Sequence, residues 1–407
     1  MKGDFSRNTF RTRRHYAGVL MQLGHLVLDA DWNEQLSIIL HQQRSVAADI
    51  IGWHGTPHPE SSAPGADGFR IDLVDGDLRI GPGHYYVDGI LCENDESCTY
   101  ATQPAAPVPE DVAGSEARGT RLVFLDIWER HITALEDPAL LEPALGGSDT
   151  CTRRQLVWQV RVLPVTDKVD IFGSQDALAE AVGLRRHKQA ASLRARTAPT
   201  QGSHPEVSVA GYTGLENRLY RVEIQDASDP DRFKWSRRNG SEAYAISSCN
   251  GNVVEVDLAA EGDIVWSKGD WVELIDDDVV LSQRSGDLAQ VSDVGHSPDR
   301  LILSDDARVN TNRHAIVRRW DGIRPIEEGQ WIGLEAGVEI SFGSGSLRDG
   351  DYWLIPARSE TRSIEWPADG NDPQWVRAHG IHHHYAPLAL LDGSTTDLRR
   401  FFSPLAG

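Results

Sequence analysis

Residues 69–94 read FRIDLVDGDLRIGPGHYYVDGILCEN. Two short apolar runs in this stretch break at Asp-Gly, in VDGDL at 74–78 and in VDGIL at 87–91. Asp-Gly between alternating residues is a strong hairpin signal, because a type I′ turn needs the left-handed conformation at both central positions. Pro82-Gly83 adds a further break. The stretch is therefore read as consecutive hairpins of short strands.

The same cadence extends outward. RLVFLDIWERHITALED at 121–137 places Leu122, Phe124, Asp126 and Trp128 on one face and Val123, Leu125 and Ile127 on the other. Both faces are mostly apolar, so a central strand is expected, with QLVWQVRVLPV at 155–165 as its partner. Between 205 and 330, KGDWVELIDDDVVLSQRSGDLAQVSDV followed by DRLILSDD alternates strands with acidic and glycine turns, the rhythm of a small barrel. GVEISFG, GDYWLIPAR and HHHYAPLALLDG continue the strands toward the C-terminus. No fixed-period repeat emerges, so a solenoid or propeller is not supported. Residues 53–68 have the composition of a loop.

One long helix is expected. After Asp31, residues Trp32, Leu36, Ile39, Leu40, Gln43, Ala47, Ile50 and Ile51 recur at helical spacing, and Gly52 ends the run. Asp31 and Glu34 have the spacing of a capping box. Val19 to Leu28, which contains Gly24, reads as a short hairpin or extended arm leading into it.

Composition narrows the function. The chain has 407 residues, enough for two or three domains, and carries a net charge of −21, which repels phosphate backbones and argues against nucleic acid. Basic stretches at 11–15 and 185–196 are read as solvated faces, with a docking patch for an acidic partner as the sharper alternative. The four cysteines, Cys92, Cys98, Cys151 and Cys249, form no C-x-x-C pair and suit a reducing compartment. No apolar run approaches a membrane span, and no secretion signal of the standard kind opens the chain. A soluble protein, made and folded in the cytoplasm, is expected.

Four histidines fall in HGIHHHYAPLAL at 379–390. On extended backbone His382 and His384 share a face and His383 takes the other. With a third ligand, for which His379, Glu365 or a distant aspartate are candidates, His382 and His384 would make a zinc site of a metal-dependent hydrolase. The preferred reading is structural histidines at a domain seam, with no cofactor. The acidic runs at 276–278 and 305–306 are read as solvated turn carboxylates. Asp126, Glu129 and Glu136 offer acid–base pairs no better than any acidic chain would. Neither G-x-S-x-G nor a phosphate-cradling loop is present, and FGSGSLRDG at 342–350 lacks the context of either. Trp128, Trp158, Trp235, Trp271 and Trp353 are read as core fillers, with a sugar-binding platform as the alternative.

The opening MKGDFSR, followed by RRHYAGVLMQLGHLVLDADWNEQ, resembles the start of an uncharacterised bacterial family that shares this signature. LDIWERHITALEDPALLEPALGGSDTCTRRQLVWQVRV, YTGLENRLYRVEI, FKWSRRNGS, GDWVELIDD and GDYWLIPAR extend the resemblance along nearly the whole chain. It implies genes lying near phage-tail-like contractile injection systems, and Gly24 to Glu34 is similar to the N-terminal arm of some baseplate and fibre-adaptor proteins. Leu23-Gly24-His25 stands where such arms lead one to expect Gln-Gly-Arg. The resemblance supplies no catalytic residue.

The resulting expectation is a mainly β protein of several small sandwich-like or barrel-like modules with an N-terminal amphipathic helix and a short helical insertion. Its parts are an arm and docking helix at 1–52, a β domain at 66–165, a basic helical connector at 166–204, β modules with a barrel at 205–330, and a C-terminal β segment at 331–407. The function expected is that of a non-enzymatic structural or adaptor subunit: a baseplate, fibre-adaptor, plug or cap-type part. Trp32, Leu36, Ile39, Leu40, Gln43 and Ile50 form the docking face toward other particle subunits, in a homo-oligomer or symmetric ring. The alternatives are a carbohydrate- or receptor-binding module and the hydrolase.

Overall fold

A computed structural model describes residues 3–5, 8–63, 65–107, 119–165, 175–181, 191–198, 211–226, 232–257, 266–295, 297, 299–370 and 372–403. The chain is mainly β and divides into two compact units. One comprises Met1–Asp4, His131–Arg153 and Arg186–Ile381; the other comprises Phe5–Arg130, Arg154–Arg185 and His382–Gly407.

The second of these units contains the decisive stretch. Ile71–Val74 pairs with Asp77–Ile80, and Gly83–Val87 with Ile90–Asn94, both antiparallel. Asp75 and Gly76 sit at φ 54° and 86°, and Asp88 and Gly89 at 51° and 73°, the positive values that the Asp-Gly turns demand. Arg121–Ile132 is central as expected, between Arg153–Pro164 and His383–Leu391, with Thr395–Asp397 beyond. Its alternation feeds two cores. Val123, Leu125 and Ile127 join the hairpin residues Phe69, Ile80, Tyr85 and Val87. Leu122 and Phe124 pack on the other side with Tyr385 and with Leu178 of the short helix Gln175–Ala181.

Residues 53–68, expected as a loop, contain a strand within otherwise irregular chain. His54–Pro57 is a fully buried strand, antiparallel to Gly83–Val87 and parallel to Phe401–Phe402. Local composition hides it because its partners lie far away in sequence. His54 fills the core by placing Nδ1 2.8 Å from the Tyr85 hydroxyl.

The other unit holds three larger sheets. Ala243–Asn250, Val253–Val256, Arg300–Leu303, Asp287–Val294, Trp271–Ile275 and Ile316–Trp320 close into the expected barrel around Val254, Val272, Val291 and Leu301. A five-stranded sheet is centred on Arg218–Asp226, flanked by Arg232–Ser236 and Tyr352–Arg358. A four-stranded sheet runs in the order Ile332–Gly333, Val338–Phe342, Ser192–Thr197, Val376–Arg377. Thus the Ser192–Thr197 part of the basic stretch is a strand, its alternate residues Leu193 and Ala195 buried against Ile340 and Trp353. The rest of that stretch, 185–190, lies outside the described residues.

The acidic run at 276–278 is also not a set of solvated carboxylates. Asp276 caps the short helix Asp277–Leu281 by accepting the Val279 N–H at 2.9 Å, and the buried Asp277 meets His314 Nδ1 at 2.6 Å. Of the five tryptophans assigned to cores, Trp128, Trp158, Trp235 and Trp353 are buried, and Trp271 is half-buried.

Candidate functional site

The expected helix is present as Asp29–Ile51. It begins two residues before Asp31, whose side chain lies inside the first turn and accepts the Leu28 N–H at 3.2 Å. Asp29 and Asp31 place negative charge where the helix dipole favours it. Glu34 takes no part in a capping box, since its carboxylate accepts the Thr9 hydroxyl.

The segment before the helix is held at intervals. Phe10 meets the His41 ring at 5.6 Å between centroids, and Val19 N–H donates to Gln35 Oε1 at 2.6 Å. Between Val19 and the helix the chain turns back at Gln22–His25, where Gly24 adopts φ 77°. That arm carries Leu20, Met21, Leu23, Leu26, Val27 and Leu28, all exposed, with Leu23 at 102% and Leu26 at 91%. Apolar side chains so placed gain little from folding.

The helix continues this surface. Ala30 and Ile38 are its buried residues. Of the positions marked by sequence periodicity, Trp32, Leu36, Ile39, Gln43 and Ile50 are exposed, with Trp32 at 69%, and Leu40 is half-buried. Val46 adds a further exposed apolar group, and the arm residues extend the surface well beyond the helix. Their sequence signal was the dense apolar run itself, from Leu20 to Leu28.

The histidines have different partners. His379 belongs to the unit that includes Arg186–Ile381 and pairs through its backbone with Tyr352 at 2.8 and 3.2 Å. His382, exposed, and His384 belong to the other unit. His383 Nδ1 lies 2.7 Å from Asp126 Oδ1, and His384 Nδ1 lies 2.6 Å from Asp88 Oδ2. Asp126 is fully buried, and its other oxygen accepts from Arg161 Nη1 at 2.9 Å. Burial alone would raise its pKa, but the charges and hydrogen bonds of His383 and Arg161 outweigh burial and hold the carboxyl below its ordinary value. Glu129 is engaged by Arg44 and Arg154, and Glu136 by Thr133. Among the described residues no group of three His, Cys, Asp or Glu is arranged to hold a metal ion.

A buried ionic network escaped sequence reading. Lys234 lies 2.5 Å from Glu273 and 3.4 Å from Glu223, which also pairs with Arg221. Glu273 further accepts from the Trp320 indole at 2.9 Å and the Gly286 N–H at 3.1 Å. These charges join the five-stranded sheet to the barrel within one unit. The Arg221 Nε is buried without a partner, but the ammonium and both carboxylates are paired, the condition under which buried charge is tolerated. Lys234 sits at an inward position of a short strand, which periodicity alone does not distinguish from a surface lysine.

The architecture defines a mainly β protein with a six-stranded barrel in one unit and a long, apolar-surfaced helix in the other. No helix among the described residues is long and apolar enough to cross a membrane. The chain belongs to a family of unknown function, DUF6519, whose profile matches residues 1–198 and 166–397. No curated protein and no solved structure matches it.

Proposed function

We propose that this protein is a non-enzymatic adaptor subunit of a phage-tail-like contractile injection particle, docking through its arm and N-terminal helix. The observation that carries this reading is the run of exposed apolar side chains from Leu20 to Leu28, continued by Trp32, Leu36, Ile39, Val46 and Ile50. An exposed apolar surface of this extent marks an interaction site. The partner it fits is a protein subunit with an apolar groove, which takes helix positions spaced by three and four residues. The arm would then act as a second clasp, closing over the partner from the helix N-terminus. The resemblance of the opening signature to baseplate and fibre-adaptor arms supplies the particle. Copies in a symmetric ring would repeat the contact.

The test is to tag the protein in its native host, purify sheathed particles and quantify it against the sheath subunit. A fixed stoichiometry supports the reading. Absence from particles in a host that expresses the protein overturns it. Leu36→Asp should abolish incorporation while the β units stay folded, and normal incorporation of that folded variant would count against the docking face.

A further inference from the structure

The four-stranded sheet containing Ser192–Thr197 has an outward face of unusual composition. Leu193 and Ala195 point into the core, so Arg194 and Arg196 point outward. Directly opposite on the neighbouring strand stand Ser341 and Glu339. Trp331 and Trp375 adjoin the two edge strands of the same sheet, on opposite sides of Arg194. The Arg194 guanidinium carbon lies 4.8 Å from the Trp331 ring centroid and 4.4 Å from that of Trp375. Arg196 lies 3.8 Å from the other arginine's indole, Trp331. Gly343 makes room for this arrangement, since a Cβ there would come within 3.0 Å of the Trp375 ring.

The two arginines differ in what they bind. Arg196 pairs with Glu339 at 2.8 Å. Among the described residues, the Arg194 side chain has no hydrogen-bond or ion-pair partner, and its Nε is buried and unsatisfied. The hydroxyl of Ser341, which is fully buried and faces Arg194 across the ladder, is unsatisfied as well. A guanidinium stacked on aromatic rings keeps its in-plane N–H donors free for a planar oxyanion. A buried donor without a protein partner is costly, so the Arg194 Nε and the Ser341 hydroxyl, side by side on this face, point to a hydrogen-bonding, anionic ligand as their partner.

We infer that this face binds an acidic saccharide, with Arg194 holding its carboxylate and Trp375, 45% exposed, lying against the sugar ring. The chemistry favours this ligand class on three counts. Glu339 pairs with Arg196, so of the two stacked arginines Arg194 alone is left to meet a ligand, which suits one carboxylate rather than a run of them. The chain's net charge of −21 opposes a dense polyanion such as nucleic acid. A uronate or sialate brings a carboxylate and an apolar ring face in one rigid unit, matching an indole and a guanidinium held in contact, whereas an acidic peptide must order a flexible side chain to do so. The inference stands independently of the adaptor reading.

The experiment is calorimetric titration of the full chain with a panel of uronate and sialate oligosaccharides, their methyl esters, and inorganic sulfate. Acidic oligosaccharides should bind, and methyl esters, which keep the ring and lose the charge, should bind at least 10-fold more weakly. Sulfate should compete weakly. Arg194→Met should reduce affinity at least 10-fold, and Trp375→Leu should reduce it several-fold. Absence of binding by the whole panel overturns the inference. So does equal binding of esters, or sulfate binding as tight as the saccharide, or unchanged affinity in folded R194M. Should R194M unfold, the acid-to-ester ratio on the parent chain decides.

Discussion

Asp126 and His383 face each other across neighbouring strands, 2.7 Å apart, and the second Asp126 oxygen holds Arg161 at 2.9 Å. Asp126 and the Arg161 side chain are both fully buried, whereas His383 retains a little exposure. The carboxylate thus serves two cationic or donating groups at once, from the strands on either side of it. This arrangement answers what the histidine strand is doing at His383: its imidazole is anchored by a buried acid in the sheet. His384 repeats the arrangement with Asp88, in a more exposed setting.

Replacing Asp126 by Asn keeps the shape and removes the charge that Arg161 requires. Breaking a buried ion pair from one side costs about 3–5 kcal/mol. Urea unfolding of Asp126→Asn should show a loss of that size. Asp88→Asn, at a pair that remains partly hydrated, should cost less than about 1 kcal/mol. Equal small losses for both would mean that Asp126 is not the buried centre of its sheet.

Acid should destabilise the unit containing His54 in two steps. Burial pushes the pKa of His54 down from 6.5 to about 4, with the Arg400 charge adding to the effect. Between those values the unfolded state binds the proton and the folded state does not, so stability is full above pH 6.5 and declines as pH falls toward 4. The full decline is roughly 3 kcal/mol. The depressed pKa of Asp126 has its own window: its contribution is present above the ordinary carboxylate range and is lost as pH falls through that range and below. His54→Phe should remove the His54 share of the first step, leaving the share of His131, whose pKa burial likewise lowers to about 4, and the whole of the second step. A pH–stability profile for H54F that still declines between 6.5 and 4 by the parent amount would refute the assignment.

The two Asp-Gly turns look identical in sequence and differ in surroundings. Gly76 has open space where a Cβ would go, whereas a Cβ on Gly89 would collide with the backbone carbonyl of Arg44 on the long helix. Both glycines have positive φ, so alanine costs about 1 kcal/mol at either from conformation alone. Gly89→Ala adds overpacking, typically another 1–3 kcal/mol. Thermal melting should therefore rank G89A well below G76A, and equal melting temperatures would show that the hairpin does not press on the helix.

The cysteines supply a chemical check on burial. Cys151 is exposed, whereas Cys92 is fully buried, and burial pushes its thiol well above the ordinary value. In native protein Cys151 should react first with a thiol reagent, and Cys92 only at the rate of unfolding. Rapid modification of Cys92 in folded protein would contradict the packing of Gly83–Val87 against Ile90–Asn94.

Local chemistry made most of the fold legible. Asp75-Gly76 and Asp88-Gly89 dictate hairpins through backbone preference, and the alternation from Leu122 to Trp128 requires a strand covered on both faces. The barrel was readable from strands separated by short turns. His54–Pro57 was not, because its pairing with Phe401–Phe402 depends on residues more than three hundred positions away. Asp276 looked like one solvated carboxylate among several because a cap is defined by the Val279 N–H it accepts, which the sequence does not display. Helical periodicity correctly placed Trp32, Leu36, Ile39 and Ile50 on a helix, but it could not say whether their surface would be covered within the chain. The Arg194 face was unreadable for a related reason: Trp331 and Trp375 reach Arg194 only through the strand order of one sheet.

The arm separates stability from docking, and this gives the sharpest test of the adaptor reading. Leu23 and Leu26 touch almost nothing within the chain, so Leu23→Asp and Leu26→Asp should change stability by less than about 0.5 kcal/mol, as surface substitutions do. Ile38, 1% exposed on the opposite side of the helix, is a core residue, and Ile38→Ala should cost about 2–5 kcal/mol. In co-sedimentation with sheathed particles the order should reverse. The two arm variants, though fully stable, should be lost from the particle fraction, because an aspartate buried in an apolar groove is strongly unfavourable. I38A, assayed below its melting temperature, should still co-sediment. Arm variants that remain stable and co-sediment at the parental ratio would remove the arm from the interface and leave the helix face alone to account for docking.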